Sequence, residues 1–110
     1  MNQRFALRGI GLLIVAASSL SAQYAAWWRL DEGTGSAVKD YTANANNGTM
    51  ANAAWTAAGK FNGAMNFDGA TSTIAVPNSA SLSITGSIAI EAWIRPTAAP
   101  TQLAPIVTKW

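Results

Sequence analysis

Beyond residue 22 the chain never sustains a helical repeat. No amphipathic helix can be traced there, and Gly, Pro or Asn interrupts the sequence at short intervals. What remains are short runs that read as strands. Residues 26–30 (AWWRL) put Trp28 and Leu30 on one face and Trp27 and Arg29 on the other, and Gly33-Thr34-Gly35 ends the run. Residues 41–48 (YTANANNG) form a polar, Asn-rich loop. Residues 64–68 (AMNFD) place Met65 and Phe67 on one face before Gly69 turns the chain. Residues 73–76 (TIAV) pair Ile74 with Val76, and Pro77, which has no N–H to give a ladder, stops them. The clearest strand is 87–95 (SIAIEAWIR). Ile88, Ile90, Ala92 and Ile94 make one face, and Ala89, Glu91, Trp93 and Arg95 the other, with Pro96 as the stop. A further strand begins at Ile106. Strands at this spacing predict an all-β, antiparallel sandwich or barrel.

Residues 1–22 differ in kind. Arg4 and Arg8 precede an uncharged apolar run at 10–17 (IGLLIVAA), and the small residues Ser18, Ser19, Ser21 and Ala22 follow. That order is the signature of a helical secretory signal peptide, and cleavage is expected after Ala22. The apolar run falls short of the roughly 20 residues a spanning helix needs. The expected domains are therefore a signal peptide at 1–22 and one β-rich unit at 23–110, secreted or at the cell surface and not in the membrane after cleavage.

Charge and composition narrow the function classes. Charged residues are 11% of the chain, against about 25% in an average soluble domain. The formal charge of +2 comes from Arg4 and Arg8. After the leader, Arg29, Lys39, Lys60, Arg95 and Lys109 are balanced by Asp31, Glu32, Asp40, Asp68 and Glu91. No two basic residues are adjacent, so nothing tracks a phosphate backbone, and a nucleic-acid partner is not expected. Cys and His are both absent, which removes disulfides, thiolate chemistry and the usual general base. Export without Cys fits a bacterial secreted module.

The order of these segments resembles a known family. Trp28-Arg29-Leu30-Asp31-Glu32-Gly33-Thr34-Gly35 is similar to the first strand of laminin G type modules of the concanavalin A-like lectin and glucanase superfamily. Asp40 and the stretch to Asn47-Gly48-Thr49-Met50 resemble that family's next loop and strand. Gly63-Ala64-Met65-Asn66-Phe67-Asp68-Gly69 with Ile74-Ala75-Val76-Pro77 resembles its central hairpin, and Ile90-Glu91-Ala92-Trp93-Ile94-Arg95-Pro96 its following long strand. The resemblance implies a jelly-roll β-sandwich. It reaches across nearly all of residues 23–110 but only the first part of such a domain, so a truncated sandwich with open sheet edges, prone to self-association, is expected.

Several residues are candidates for chemistry. Asp40, Asn44, Asn46, Asn47 and Asp68 offer hard oxygen ligands. The resemblance implies calcium, with Asp40, Asn47 and Asp68 as the ligand set. Ser72 stands where many relatives carry an acid, and Asp and Asn also serve simply as turn formers. Trp93, with Glu91 and Arg95 on its face, is the candidate ligand platform, and a half-buried ring beside a cross-strand ion pair is the plainer alternative. Trp28 is expected in the core. Asp31 and Glu32 are adjacent and would point to opposite faces of a strand, so they do not make the close carboxyl pair of a retaining glycosidase. Asn47-Gly48-Thr49 matches a glycosylation sequon by chance in a bacterial setting. The expected function is a non-catalytic binding module for a glycan or cell-surface protein, in a larger exported protein. The alternatives are a structural or adhesive spacer and, third, a glycoside hydrolase of the same fold.

Overall fold

A computed structural model of the chain describes residues 23–99 and 103–109. The predicted leader at 1–22 lies outside them, as does Trp110. The described part is β-rich and antiparallel. Its strands are β1 (Ala37–Val38), β2 (Gly48–Ala51), β3 (Ala54–Thr56), β4 (Ala64–Asn66) and β5 (Thr73–Ala75). One sheet has the order β1-β2-β5 and the other pairs β3 with β4. A single 3-10 turn, Ala80–Leu82, follows.

The two sheets share one ribbon. Going out, β2 continues into β3 across Asn52 and Ala53; coming back, β4 continues into β5 across residues 67–72. Thr49 pairs with Ala75 and Ala51 with Thr73, while Ala54 pairs with Asn66 and Thr56 with Ala64. The loop 57–63 forms the tip. Two residues on one arm therefore oppose six on the other, an enlarged bulge that bends the ribbon and separates its ladders. Asn52 takes the left-handed conformation at φ 56° on the short arm, and Gly69 does so at φ 75° on the long one.

The core is thin. Val38 (0% exposed) from the first sheet and Met65 (8%) from the second are its buried apolar side chains among the described residues. Gly48 lets β5 lie close: a Cβ there would sit 2.8 Å from Ile74 Cγ2 and 3.1 Å from Val76 Cγ2. Two polar residues are as deeply buried, Asp40 (3%) and Asn46 (6%).

Five local expectations are corrected. Residues 26–30 are not a strand. Trp28 makes one isolated bridge to Asp40, and Leu30 at φ 58° leaves the β region. The expected central hairpin does not pair β4 with β5, because each pairs with its own half of the outgoing arm. Phe67 is exposed, in contrast to Met65, because the bulge begins there and the alternation is not carried through it. Residues 87–95 join no ladder, and Ile106 and Val107 form a bend. Alternation gives a strand its faces, but a ladder needs a second strand to answer its N–H and C=O groups. Among the described residues no second strand forms a ladder with 87–95. Ile88, Ile90 and Ile94 are accordingly 59–60% exposed.

Candidate functional site

Asp40, two residues beyond β1, gathers four hydrogen-bond donors on its carboxylate. Its Oδ1 accepts from the N–H groups of Trp27 and Thr42, both at 2.9 Å. Its Oδ2 accepts from the Asn46 N–H and the Thr42 hydroxyl, both at 2.8 Å. Burial alone would raise its pKa. The backbone donors of Trp27, Thr42 and Asn46, with the Thr42 hydroxyl, outweigh that and hold it below the ordinary 3.8. The neighbouring amides extend the network. Asn47 Oδ1 accepts from the Asp40 N–H at 2.9 Å. Asn46 Nδ2 donates to Ala25 O and Ser81 Oγ, each at 3.0 Å, and its Oδ1 accepts from Ser79 Oγ at 2.6 Å. Asn44 Nδ2 donates to the same Ala25 carbonyl at 3.0 Å. Trp28, half-buried, donates its indole N–H to Asn46 O at 2.8 Å. The Asn-rich loop is thus a clasp between the start of the described chain, β1, β2 and the 3-10 turn.

Asp68 works the same way in the bulge. Its Oδ1 accepts from the N–H groups of Ala70, Thr71 and Ser72, each at 2.9 Å, and its Oδ2 from the Thr71 hydroxyl at 2.8 Å. These donors, the Ala70 N–H first, hold its carboxyl far below the usual carboxylate range. Ser72 Oγ accepts the Asp68 N–H at 3.0 Å and donates to Asn52 O, so the bulge is fastened to the short arm.

The residues expected to hold calcium do not converge. Asn47 immediately precedes β2, and Asn52, which anchors the Asp68 turn, immediately follows it. Five residue steps of strand separate them, about 17 Å. Two ligands of one calcium ion lie within roughly 5 Å of each other. The lone pairs of both carboxylates are also directed at N–H and O–H donors. As arranged, Asp40, Asn47 and Asp68 do not fit one ion. Among the described residues no group of three or more Asp or Glu carboxylates comes together.

The ligand platform has a different setting. Trp93 is 74% exposed. The edge-on ring of Phe61 stands at 6.1 Å from it, and Lys60 Nζ lies 5.0 Å from its centroid. Phe61 is itself 65% exposed. Glu91 and Arg95 lie two residues either side of Trp93 at exposed positions. Lys60 and Phe61 come from the loop between β3 and β4, and no pattern in that loop ties it to residue 93. A second aromatic patch was equally hidden. Tyr41 faces Trp27 at 6.0 Å, with Arg29 Cζ at 5.0 Å and Lys39 Nζ at 4.8 Å from its ring.

Asp31 and Glu32 engage different partners. Asp31 pairs with Arg29, and Glu32 Oε1 accepts the Lys39 N–H at 3.0 Å, while Glu32 Oε2 is buried without a partner. A shallow hollow of about 400 Å³ lies beside Asp31, Gly33, Trp55, Asn62 and Gly63. A much larger opening of about 4150 Å³ is lined in part by Met65, Phe67, Ile74, Ile88, Ile90 and Ile94. Small-ligand pockets measure about 300–1,000 Å³, so the larger space is an uncovered apolar face. Comparison of the chain with family models, with curated proteins and with solved structures finds no match.

Proposed function

We propose that this chain is an exported, non-catalytic binding module for a glycan or another cell-surface ligand, and that Trp93 is its principal contact. The observation that carries the reading is the exposed Trp93–Phe61 pair, with Lys60 beside it. Large aromatic rings held out in water gain free energy when a partner covers them. A sugar ring offers C–H groups to an aromatic face and hydroxyls to flanking charges such as Glu91 and Arg95. The sequence supports export through the order of Arg4, Arg8, the apolar run and the small residues before Gln23. The absence of His and Cys from the sequence, and the separate partners of Asp31 and Glu32, support a binding role over hydrolysis.

The architecture proposed with it is a laminin G type jelly roll, of which β1 to β5 form one part. The paired antiparallel ladders and the uncovered apolar face support this, since a sandwich hides such a face beneath its second sheet. On this reading the chain belongs to a larger extracellular protein.

The test is equilibrium binding of the purified full chain to a panel of soluble polysaccharides, with Trp93→Ala beside it. Loss of one ring contact of ~1.4 kcal/mol weakens binding about tenfold. Unchanged affinity in that variant, or no binding across the panel, refutes the proposal.

A further inference from the structure

Three places in the chain set an Asn or Asp before a Gly: Asn47-Gly48, Asn62-Gly63 and Asp68-Gly69. Gly has no Cβ to shield its backbone nitrogen. At such a pair that nitrogen can reach the preceding side-chain carbonyl carbon and close a five-membered ring. The fold treats the three pairs differently. Asn47 is held at its side chain, whose Oδ1 accepts the Asp40 N–H at 2.9 Å, and Gly48 is buried and paired with Val38 in the β1–β2 ladder. Asp68 presents an ionised carboxylate, a poor electrophile, wrapped by the N–H groups of Ala70, Thr71 and Ser72. Asn62 stands exposed at the tip of the ribbon in the left-handed conformation, φ 67°, and no partner holds its side-chain amide among the described residues. Gly63 lies outside β4 and is only half-buried.

We infer that Asn62 is a site of spontaneous deamidation, through attack of the Gly63 backbone nitrogen on Asn62 Cγ. The nitrogen gives its proton to solvent base and the new N–Cγ bond forms. The Cγ–Nδ2 bond breaks, and the amide nitrogen takes up a proton and leaves as ammonia. Water then opens the succinimide at one of its two carbonyls and leaves aspartate or isoaspartate at position 62. One water is consumed and one ammonia released, and nothing is oxidised or reduced. The place of Asn62 gives this chemistry two consequences. The new carboxylate joins Asp31 on the lining of the shallow hollow. The isoaspartate form runs the main chain through the former side chain and so lengthens the loop 57–63 by a backbone atom. Thr56 and Ala64 stay paired at the base of that loop, so the extra length falls on the segment that brings Lys60 and Phe61 to Trp93. An effect on a ligand through those residues rests on Trp93 as the binding contact. The deamidation does not, and its test contains no ligand.

The experiment is timed incubation of the purified full chain at mildly alkaline pH, followed by peptide mapping with mass spectrometry. The same chain in denaturing urea and the variant Asn62→Gln run beside it. In the folded chain the peptide holding Asn62 gains the mass of amide-to-acid exchange and separates into aspartate and isoaspartate forms. It does so roughly tenfold or more faster than the peptide holding Asn47, which must wait for its ladder to open. In urea that difference disappears, because both Asn-Gly pairs are then equally free. Asn62→Gln, which would have to close a larger ring, loses most of the ammonia that the folded chain releases. An Asn62 that stays intact, an Asn47 that converts as fast in the folded chain, or a rate difference that persists in urea overturns the inference.

Discussion

Replacing Asp40 by Ala is the sharpest test of how this fold is held together. The change removes four hydrogen bonds to an ionised carboxylate, from the Trp27, Thr42 and Asn46 N–H groups and the Thr42 hydroxyl. Bonds to charged groups contribute about 1.5–3 kcal/mol each. Water can reach the partly buried donors, but the Asn46 N–H is buried and stays unsatisfied. A net loss of ~3–4 kcal/mol follows, against the roughly 5–15 kcal/mol of an ordinary domain. The assay is urea unfolding followed by Trp fluorescence, to which Trp27 and Trp28 report directly from beside the carboxylate. With a slope of about 1 kcal/mol per molar urea, the midpoint falls by ~3 M or the cooperative transition disappears. Asp40→Asn keeps one oxygen and is expected to cost about half as much. The same titrations in calcium and in chelator coincide, because the carboxylate is already saturated with donors. A cost below ~1 kcal/mol for the Ala variant would refute the reasoning. So would a calcium-dependent rise in the parent midpoint that the variant lacks.

Acid acts on the same groups. Asp40 and Asp68 bind their protons more weakly folded than unfolded, so their contribution is full above the ordinary value of 3.8 and is lost as pH falls through the lower folded values. The urea midpoint is expected to be flat above about pH 5 and to decline below 3.8, less steeply in Asp68→Asn; a midpoint that climbs on acidification contradicts the hydrogen-bond assignment. Gly48→Ala drives a methyl against Ile74 Cγ2 at 2.8 Å and the Ala75 carbonyl at 3.2 Å. It is expected to destabilise the β2–β5 ladder by about 1–3 kcal/mol, read as faster amide exchange at the paired residues Thr49 and Ala75, and unchanged exchange there would show that β5 can retreat without cost.

The sequence was informative where local chemistry decides and silent where pairing decides. Gly69 marks a true left-handed turn, Pro77 follows the end of β5, and the 41–48 stretch is the loop it reads as up to Asn47, with Gly48 already opening β2. Residues 73–75 form their strand because Ile74 has β2 to lie on. Residues 87–95 carry a cleaner alternation and form no ladder, since periodicity describes one strand's faces and says nothing of its neighbour. β1 and β3 were invisible for the opposite reason: two residues of AV and three of AWT hold too little pattern, and only register with β2 and β4 defines them. At the site, Asp40, Asn47 and Asp68 stood out as oxygen-bearing residues. A carboxylate that binds an ion and one that gathers N–H groups use the same residue type, and only the donors around it distinguish them. Trp93 was legible from its face of the strand pattern. Lys60 and Phe61 were not, because they reach it from the tip of the ribbon, about thirty residues earlier in the chain.

The bulge opposite Asn52 and Ala53 has a bearing on how this chain tolerates change in length. Each ladder holds its own register, and neither is transmitted through the six residues of the long arm. An insertion in the long arm ahead of Asp68 therefore enlarges a surface loop without moving any paired side chain to the wrong face and leaves the Asp68 turn onto Ala70, Thr71 and Ser72 intact, at a small closure entropy. The short arm has no such slack. Removing Asn52 or Ala53 would slide β3 by one position and turn Trp55 and Thr56 over together. Sequence drift and engineered grafts should thus be absorbed on one side of the ribbon and rejected on the other. The asymmetry marks the long arm, between Phe67 and Asp68, as the place to splice a reporter peptide or epitope into this molecule.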